Sequence, residues 1–358
     1  MSDTSNVSDT SNAGGADLAR PGRIEVGLYL SRGASAVMQA CAGLPGLHVE
    51  AFADAADLQA KVDAFDAVII QNTAYDAGFA ARVATARRLR WIRAAASGTD
   101  AFQRFGLPQR VLLTNAGDTW AACVADHAMA LLLGLARGIP LAERKRQMRC
   151  WDQQGLGDVV IGLRGRTLLV VGLGAISRGV ARRAEAFGMN VDAVMRSPER
   201  AHNTPHIRRV DGVGRLIDRL AEADAVVLSL PLTPQSAGLL DRRALQAMRP
   251  SALLVNVSRG GVIDEAALLE ALAAGRLGGV GLDVAAVEPL PSGSLLWSYD
   301  RVCITPHVAA YDDGPGFDLL ASLCRDNLCR FRDGQTLRNR VVSTGQPAAA
   351  DPASEPAR

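Results

Sequence analysis

Three residues in the second half of the chain carry side chains suited to binding an anion and moving a proton. Arg259 follows the apolar run ALLVNV, Glu288 follows GGVGLDV, and His307 follows VCITP. An imidazole ionises near neutral pH, a nearby carboxylate favours its charged form, and a guanidinium pairs with carboxylates without titrating. Each residue taken alone also fits a solvated loop or turn. Their common placement after successive strand ends predicts one site, because ligands bind beyond the carboxyl ends of strands in open α/β sheets.

The other histidines and the cysteines do not indicate a metal centre. His48, His202 and His206 are scattered, and no HxxxH or Cys/His pattern with ligand spacing occurs. His127 lies alone in the apolar helical run VADHAMALLLGL, and we interpret it as structural. Neither a GxSxG elbow nor a P-loop is present, which argues against acyl or phosphoryl transfer. The sequence therefore predicts no bound metal.

The elements that must position these residues are short apolar runs alternating with helical patterns, which is typical of parallel βαβ units. The first series has the candidate strands IEVGLYL, HVEAF, AVIIQN, RWIRAA and VLLTN. The second has TLLVVG, NVDAVM, a weak RRV, AVVLSL, ALLVNV, GGVGLDV and VCITP. Two such series predict an α/β protein with two open parallel sheets.

A long helical stretch, WAACVADHAMALLLGLARGIPLAERKRQMRCW, joins the two series, and we place a domain boundary near residues 117–119. The final helical pattern has apolar residues at helical spacing, namely Leu319, Leu323 and Leu328. This helix is expected to pack back on the first domain and to make that domain discontinuous.

The predicted domain bounds follow from these two helical segments. The first domain comprises residues 23–118 and 309–342, and the second comprises residues 119–308. Residues 1–22, which contain SDTSN twice, and residues 343–358 are predicted to be disordered tails, since they offer little apolar surface to bury.

The stretch RTLLVVGLGAIS has the context of a dinucleotide-binding turn: an apolar strand, then Gly172 and Gly174, then a helix. The helix is predicted to bury one face, formed by Ile176, Val180, Ala184 and Phe187. Ser177 stands where a third small residue normally allows close packing of helix against strand, and we expect it to widen that contact slightly. An ordinary tight turn of an α/β protein remains the alternative.

The composition favours small-molecule chemistry. Lys and Arg (39) nearly balance Asp and Glu (37), so no charge excess points to nucleic acid or to an anionic membrane. The six cysteines form no CxxC pair, and the sequence has no signal peptide pattern or long apolar run. We therefore expect a cytoplasmic enzyme without nucleic-acid or membrane partners.

Four motifs, in the order VVGLGAIS, LLVNVSRGGVIDEAALLEAL, GGVGLDVAAVEPLP and ITPHVAA, resemble the D-isomer-specific 2-hydroxyacid dehydrogenases over roughly residues 24–342. The resemblance implies two doubly wound domains, with a Rossmann cofactor domain inserted into a flavodoxin-like substrate (catalytic) domain. It implies that Arg259, Glu288 and His307 are catalytic. It assigns the substrate carboxylate to a loop, RAAASGTD, whose matching residues are Ala96, Ser97, Gly98 and Thr99.

The same resemblance, together with the turn, assigns a cofactor site. The predicted cofactor-binding residues are Gly172, Gly174, Ala175, Ile176, Arg196, Ser197 and Asp283. Asp283 matches the family residue that contacts the nicotinamide amide.

The position that distinguishes NAD(H) from NADP(H) departs from the usual sequence pattern. In NAD-binding turns an acid about 20 residues further on, at the tip of the second strand, binds the ribose hydroxyls. Asp192 has that count, but the resemblance to the family's strand implies that Met195 lies at the tip. Asp192 would then lie about 10 Å short of the tip, on the opposite face. Arg196 and Ser197, with help from Arg200, instead suit a 2′-phosphate. NADP(H) is therefore favoured, and use of NAD(H) or of both cofactors is the alternative.

The predicted function is reduction of a small 2-oxo acid, of the glyoxylate or hydroxypyruvate type, to its D-2-hydroxy acid. The alternatives are a dinucleotide-sensing protein like the corepressors of this family, and a dehydrogenase of another small anion such as formate. By family analogy the chain is a homodimer, with contacts from ALLLGLARGIPLAERKRQMRCW. Candidate pocket residues are Asn72, Tyr75, Trp120 and Tyr311.

Overall fold

The structure is a computed structural model that describes residues 22–201 and 204–341. Two compact units divide the chain: the first ends at Gly117 and resumes at Gly314, and the second comprises Asp118–Asp313. The return to the first unit thus lies at residue 314 rather than at the predicted 309. The predicted tails lie outside the described residues, apart from the exposed residue 22.

The elements of the described residues are as follows. The strands are β1 (Ile24–Tyr29), β2 (Leu47–Ala51), β3 (Ala67–Ile70), β4 (Trp91–Ala94), β5 (Leu112–Thr114), β6 (Thr167–Val171), β7 (Asn190–Met195), β8 (Arg209–Gly212), β9 (Ala225–Leu228), β10 (Leu253–Asn256), β11 (Gly279–Leu282), β12 (Val302–Ile304) and β13 (Arg340–Val341). The helices are α1 (Ala34–Cys41), α2 (Ala55–Ala60), α3 (Ala77–Thr85), α4 (Asp100–Phe105), α5 (Ala121–Ala136), α6 (Ile139–Gln147), α7 (Gln153–Gly157), α8 (Ala175–Ala186), α9 (Leu216–Glu222), α10 (Arg242–Ala247), α11 (Glu265–Ala273) and α12 (Pro315–Arg332).

The first unit is built on a sheet with strand order β13-β5-β4-β3-β1-β2. The five strands predicted from the sequence, β1 to β5, are parallel and have the doubly wound order 2-1-3-4-5. Strand β13 pairs with β5 in the antiparallel direction. Every residue of β3 and β4 is buried. Strand β3 is therefore an unbroken apolar run, whereas β4 also contains the buried Arg93. The sequence did not predict β13, which is two residues long.

Helix α12 packs in the first unit, as expected, but with a different face inward. Its buried residues include Leu320, Cys324, Leu328 and Phe331, whereas Leu319 is 58% exposed. The predicted apolar stripe was therefore wrong by about one residue at its start. The ring of Phe331 lies 5.3 Å from that of Trp91 on β4, which joins the end of the chain to the centre of the first sheet.

The second unit has a seven-stranded parallel sheet in the order β12-β11-β10-β9-β6-β7-β8. Counted from β6 this is the 3-2-1-4-5-6 order of a Rossmann domain, extended by β12. The weak RRV run forms the edge strand β8, which starts at Arg209. The order brings the ends of β10, β11 and β12 side by side, so residues that follow these strands lie at one edge of the sheet.

The long connector predicted from the sequence forms two helices of the second unit. Helices α5 and α6 meet at a 64° bend, where Gly138 adopts a left-handed conformation with φ 66°. One face of α5 is buried against β10 and β11 through Leu131, Leu132 and Leu135. Among the described residues, no helix is by itself long and apolar enough to cross a membrane, although α5 and α6 together pass that test as a bent pair.

Candidate active site

The turn between β6 and α8 depends on a glycine that no other residue can replace. Gly172 has φ 89°, and a Cβ atom on it would lie 2.4 Å from the carbonyl oxygen of Ser229. Its N–H donates to the carbonyl of Val194 at the end of the neighbouring strand β7 (2.8 Å). The tight turn therefore brings the start of α8 directly onto the edge of the sheet.

Ser177 fastens this turn through a hydrogen bond, a role that the sequence did not predict. Its side chain is fully buried, and its hydroxyl donates to the carbonyl of Gly172 (2.7 Å). The buried face of α8 consists of Ser177, Val180, Ala181 and Ala184. Phe187, predicted for that face, is 46% exposed. Ser177 thus takes the place of the third glycine in the packing of α8, and its hydrogen bond links the helix to the turn.

The first turn of α8 has free hydrogen-bond donors suited to a pyrophosphate. Within the described residues, no side chain caps this helix and the N–H groups of Ala175, Ile176 and Ser177 have no acceptor. A Cβ atom added to Gly174 would meet nothing within 4 Å, so the approach to these donors is open. Free amides at the positive end of a helix dipole fit an anion, and the residues predicted to hold the pyrophosphate therefore suit that group.

The end of β7 has the register that the sequence predicted. The strand ends at Met195, and Asp192 is only 2% exposed within it. The Asp192 carboxylate accepts hydrogen bonds from Arg208 (2.8 and 3.0 Å) and Arg209 (2.9 Å). Burial by itself would raise the pKa of Asp192, but these hydrogen bonds hold the pKa below its usual value. The Asp192 carboxylate is therefore already hydrogen-bonded within the protein and does not lie at the strand tip.

Arg196 follows directly after β7 and differs from Asp192 in its surroundings. Its side chain is exposed, and no acidic partner is found for it in the parts of the chain that the structure describes. Ser197 precedes a short turn that contains Arg200. The tip of β7 therefore offers an unneutralised guanidinium and a hydroxyl, both of which can donate to phosphate oxygens.

His307 and Glu288 form a hydrogen-bonded pair at the carboxyl edge of the second sheet. The Nδ1 atom of His307 lies 2.8 Å from Oε2 of Glu288, and the two side chains are 47% and 40% exposed. The hydrogen bond that His307 donates to Glu288 raises the pKa of His307 against the opposing effect of burial. Burial would raise the pKa of Glu288, but the bonds from His307 and from the Ala285 N–H lower it. The pair therefore favours an imidazolium beside a carboxylate, with Nε2 left for another contact.

Arg259 lies in the turn after β10 and acts electrostatically on this pair. Its charge lowers the pKa of both His307 and Glu288, and its Nη1 donates to the carbonyl of Ser258 (2.7 Å). A Cβ atom on Gly260 would lie 1.9 Å from the carbonyl carbon of Ala285. Only glycine lets the loop that carries Arg259 pass so close to the loop that carries Glu288.

Asp283, directly after β11, is hydrogen-bonded to the loop that carries His307. It is 2% exposed, and its carboxylate accepts from the Thr305 hydroxyl (2.7 Å), the Val308 N–H (2.9 Å) and the Ala309 N–H (3.0 Å). Burial opposes ionisation, but these bonds and the contact with His127 lower the pKa of Asp283. Asp283 is therefore an ionised group that organises the backbone around His307.

In the first unit, the Ala96–Thr99 loop follows β4 and is held by two asparagine side chains. Asn72, after β3, accepts from the Ala96 N–H (3.0 Å) and donates to the Gly98 carbonyl (2.5 Å). Asn115, after β5, donates to the Ser97 carbonyl (2.6 Å). The loop is thus fastened from the strands on both sides of β4.

This support leaves three neighbouring donors free. Within the described residues, the backbone N–H groups of Ser97, Gly98 and Thr99 have no acceptor. Consecutive free amides form a concavity suited to a carboxylate or another small anion. The loop that the sequence nominated for substrate binding has the donors that such a role requires.

Two roles were not found from the sequence. Asn72 is predicted only as a pocket residue and Asn115 has no predicted role, although side-chain amides directly after two parallel strands are a usable signal. Tyr75, also a predicted pocket residue, is instead 1% exposed in the core of the first unit, where its hydroxyl donates to the Gly106 carbonyl (2.7 Å). Among the described residues, no three His, Cys, Asp or Glu side chains form a group that could hold a metal ion.

The comparisons with known proteins agree with this arrangement. Residues 129–309 match the family model described as D-isomer specific 2-hydroxyacid dehydrogenase, NAD binding domain. The chain therefore belongs to the D-isomer-specific 2-hydroxyacid dehydrogenase family.

The relatives that this chain matches carry the names of different dehydrogenases. D-3-phosphoglycerate dehydrogenase of Mycobacterium tuberculosis is 37% identical over 259 residues, 71% of this chain and 47% of that protein. The match thus spans about half the length of that relative. Glycerate dehydrogenase of Methylorubrum extorquens is 33% identical over 258 residues, 69% of this chain and 77% of that protein.

Solved structures have the same fold. A D-isomer specific 2-hydroxyacid dehydrogenase family protein from Aeromonas salmonicida is 30% identical with a TM-score of 0.79, covering 89% of this chain and 99% of that one. A family member from Xanthobacter autotrophicus, crystallised with NADPH and MES, is 27% identical with a TM-score of 0.73, covering 89% of this chain and 98% of that one. The sequence-based assignments of family and fold class are confirmed.

Proposed function

We propose that this chain is an NADPH-favouring reductase that converts a small 2-oxo acid, of the glyoxylate or hydroxypyruvate type, into its D-2-hydroxy acid. The observation that carries the proposal is the His307–Glu288 hydrogen bond, under the influence of Arg259, at three adjacent strand ends of a family member. The names glycerate dehydrogenase and glyoxylate reductase among its relatives support a small hydroxy or oxo acid as substrate.

Each proposed catalytic residue has one task in this reaction. When bound, the reduced nicotinamide supplies the hydride that adds to the carbonyl carbon. His307, kept charged by Glu288, gives its Nε2 proton to the carbonyl oxygen. Arg259 polarises the carbonyl and stabilises negative charge as it develops on the oxygen. The free amides of Ser97, Gly98 and Thr99 bind the substrate carboxylate.

The proposed cofactor site comprises the turn and the tip of β7. Gly172, Gly174 and the first amides of α8 hold the pyrophosphate. Asp283, whose carboxylate is buried in hydrogen bonds to the loop of His307, acts on the nicotinamide end through that loop. Preference for NADPH is supported by Asp192, whose carboxylate is engaged by two arginines, and by the exposed Arg196 next to Ser197. The NADPH complex of the Xanthobacter relative is consistent with this preference.

A matrix of 2-oxo acids against NADPH and NADH tests the substrate and the cofactor together. We expect NADPH oxidation with at least one small 2-oxo acid, at a kcat/KM clearly above that with NADH. A clear preference for NADH would contradict the cofactor assignment. Binding of NADPH without turnover of any acid would instead favour the dinucleotide-sensing alternative.

We also propose self-association through the region of α6. Three large apolar side chains are exposed there: Ile139 (57%), Met148 (73%) and Trp151 (94%). Exposing three such apolar side chains to water is unfavourable, and a patch of this kind is typical of a subunit interface. Sedimentation equilibrium of the wild type and of Trp151→Ser tests this proposal, and a monomeric wild type at micromolar concentration would refute it.

We also propose a cytoplasmic location. The unpaired cysteines of the described chain support a reducing setting of this kind.

A further inference from the structure

His127, on α5, takes part in a directed chain of hydrogen bonds that ends at Asp283. Its Nε2 lies 2.8 Å from Oγ1 of Thr305, and Oγ1 of Thr305 lies 2.7 Å from Oδ1 of Asp283. An ionised carboxylate only accepts, so the single hydroxyl proton of Thr305 points to Asp283. Oγ1 must then accept from His127, which fixes the imidazole proton on Nε2.

The chain matters because Asp283 holds the loop of His307 in an unfavourable conformation. His307 has φ 53°, a left-handed conformation that a non-glycine residue adopts only when its surroundings impose it. The Asp283 carboxylate binds the N–H groups of Val308 and Ala309, and the Asp283 carbonyl binds the N–H of His307 (2.8 Å). The aim of the imidazole therefore depends on where Asp283 is held.

His127 is placed to hold it. The Nε2 atom of His127 also lies 3.4 Å from Oδ1 of Asp283, and its side chain is 22% exposed. Both of its contacts are with the strand ends that carry the candidate site, and neither is with its own helix.

We propose that His127 is a positioning residue: its Nε2–H orients the Thr305 hydroxyl toward Asp283, and so fixes the loop that aims His307. The proposal rests on the proposed function, because it assumes that His307 is the proton donor. It assigns His127 a contact with neither substrate nor cofactor. Its loss should therefore lower kcat more than it raises KM.

The test compares His127→Leu, which has no donor, with His127→Gln, whose amide can still donate to Thr305. We expect His127→Leu to lower kcat about tenfold, since small misplacements of a catalytic group have effects of this order or larger, with KM and the NADPH Kd changed less than about twofold. His127→Gln should recover most of that loss. Thr305→Val, which cuts the chain at its next link, should reproduce the kcat effect and keeps the test decisive if His127→Leu does not fold.

A matched control removes a histidine–carboxylate contact elsewhere. His48 contacts Glu25 in the first unit (Nδ1 to Oε2, 2.6 Å), and His48→Leu should leave kcat unchanged. Wild-type kcat in both His127→Leu and Thr305→Val would overturn the proposal. So would equal losses in His127→Leu and His127→Gln.

Two measurements need no turnover and separate this proposal from the proposed function. Nitrogen NMR of the imidazoles should show a proton on Nε2 of His127. Hydrogen exchange should become faster at the Val308 and Ala309 amides in His127→Leu while the global Tm stays within a few degrees. If the wild type reduces no 2-oxo acid, the proposed function fails, and these two readouts still decide whether His127 holds the loop. A proton on Nδ1 alone, or unchanged exchange at both amides, would overturn the positioning role.

Discussion

The Nδ1 atom of His307 lies 2.8 Å from the Oε2 atom of Glu288, and this pairing sets the pH dependence of the proposed reaction. The hydrogen bond to Glu288 raises the pKa of His307. In the proposed reaction His307 must be protonated, so we expect the rate to be full below this pKa and to fall as pH rises through it. The pair thereby widens the pH window of reduction on its alkaline side.

Glu288→Gln should move the alkaline limb of the kcat/KM profile to lower pH, because the neutral amide no longer favours the imidazolium. The profile is measured from about pH 5 to 10 with a saturating cofactor. Glu265→Gln is the matched control, since Glu265 also accepts from a backbone N–H of the same loop, that of Ala286 (3.4 Å). A limb that stays in place in Glu288→Gln would show that another group controls the proton.

Arg196→Ala should weaken NADPH use selectively. A charge-assisted hydrogen bond contributes about 1.5–3 kcal/mol, so the KM for NADPH should rise about 10- to 100-fold. The KM for NADH should change little, because NADH has no 2′-phosphate to lose the contact. Arg243→Ala, at an exposed arginine of α10, is the control. Equal increases in both KM values would argue against a phosphate contact.

Ser177→Ala should destabilise the second unit by about 1 kcal/mol, the usual net contribution of one hydrogen bond. Differential scanning calorimetry should then show a Tm lower by about 2–4 °C. Ser298→Ala removes a similar bond to a backbone carbonyl, Ser298 to Leu295 (2.6 Å), but at an exposed position, and should change the Tm less. An unchanged Tm in Ser177→Ala would mean that the hydroxyl does not fasten the turn.

Asn72→Ala should loosen the Ala96–Thr99 loop, because Asn72 supplies both a donor and an acceptor to it. We expect the KM for the 2-oxo acid to rise about tenfold, which corresponds to 1.4 kcal/mol, with an unchanged NADPH Kd. Asn190→Ala removes a single amide contact with Gly165 (3.2 Å) in the second unit and should not affect this KM. Should the substrate KM of Asn72→Ala equal that of the wild type, the loop would not be the carboxylate site.

Much of the architecture could be predicted because it depends on local sequence. Buried parallel strands such as β3 and β9 are continuous apolar runs, and the order of strands and helices restricts the topology. The family's strand pattern predicted the end of β7 at Met195, and the two-residue repeat then put Asp192 three residues back on the opposite face, without knowledge of its partners.

What could not be predicted depends on residues distant in sequence. The side-chain amide of Asn72 hydrogen-bonds to loop residues 24 and 26 positions further along the chain. His127 hydrogen-bonds to Thr305 across a separation of 178 residues. No local pattern distinguishes such a histidine from one that only fills space. The buried face of α12 was misassigned at Leu319 because apolar spacing alone allows two neighbouring faces of a helix.

The contact of Trp91 with Phe331 has a consequence for the order in which the molecule assembles during synthesis. The second unit is one continuous stretch, whereas the first needs α12 and β13 from beyond it. As the chain leaves the ribosome, β4 therefore emerges with the face of Trp91 uncovered until the whole second unit has followed. The first unit can therefore complete its core only after the second unit has been synthesised, in contrast to the usual N-terminal-first order.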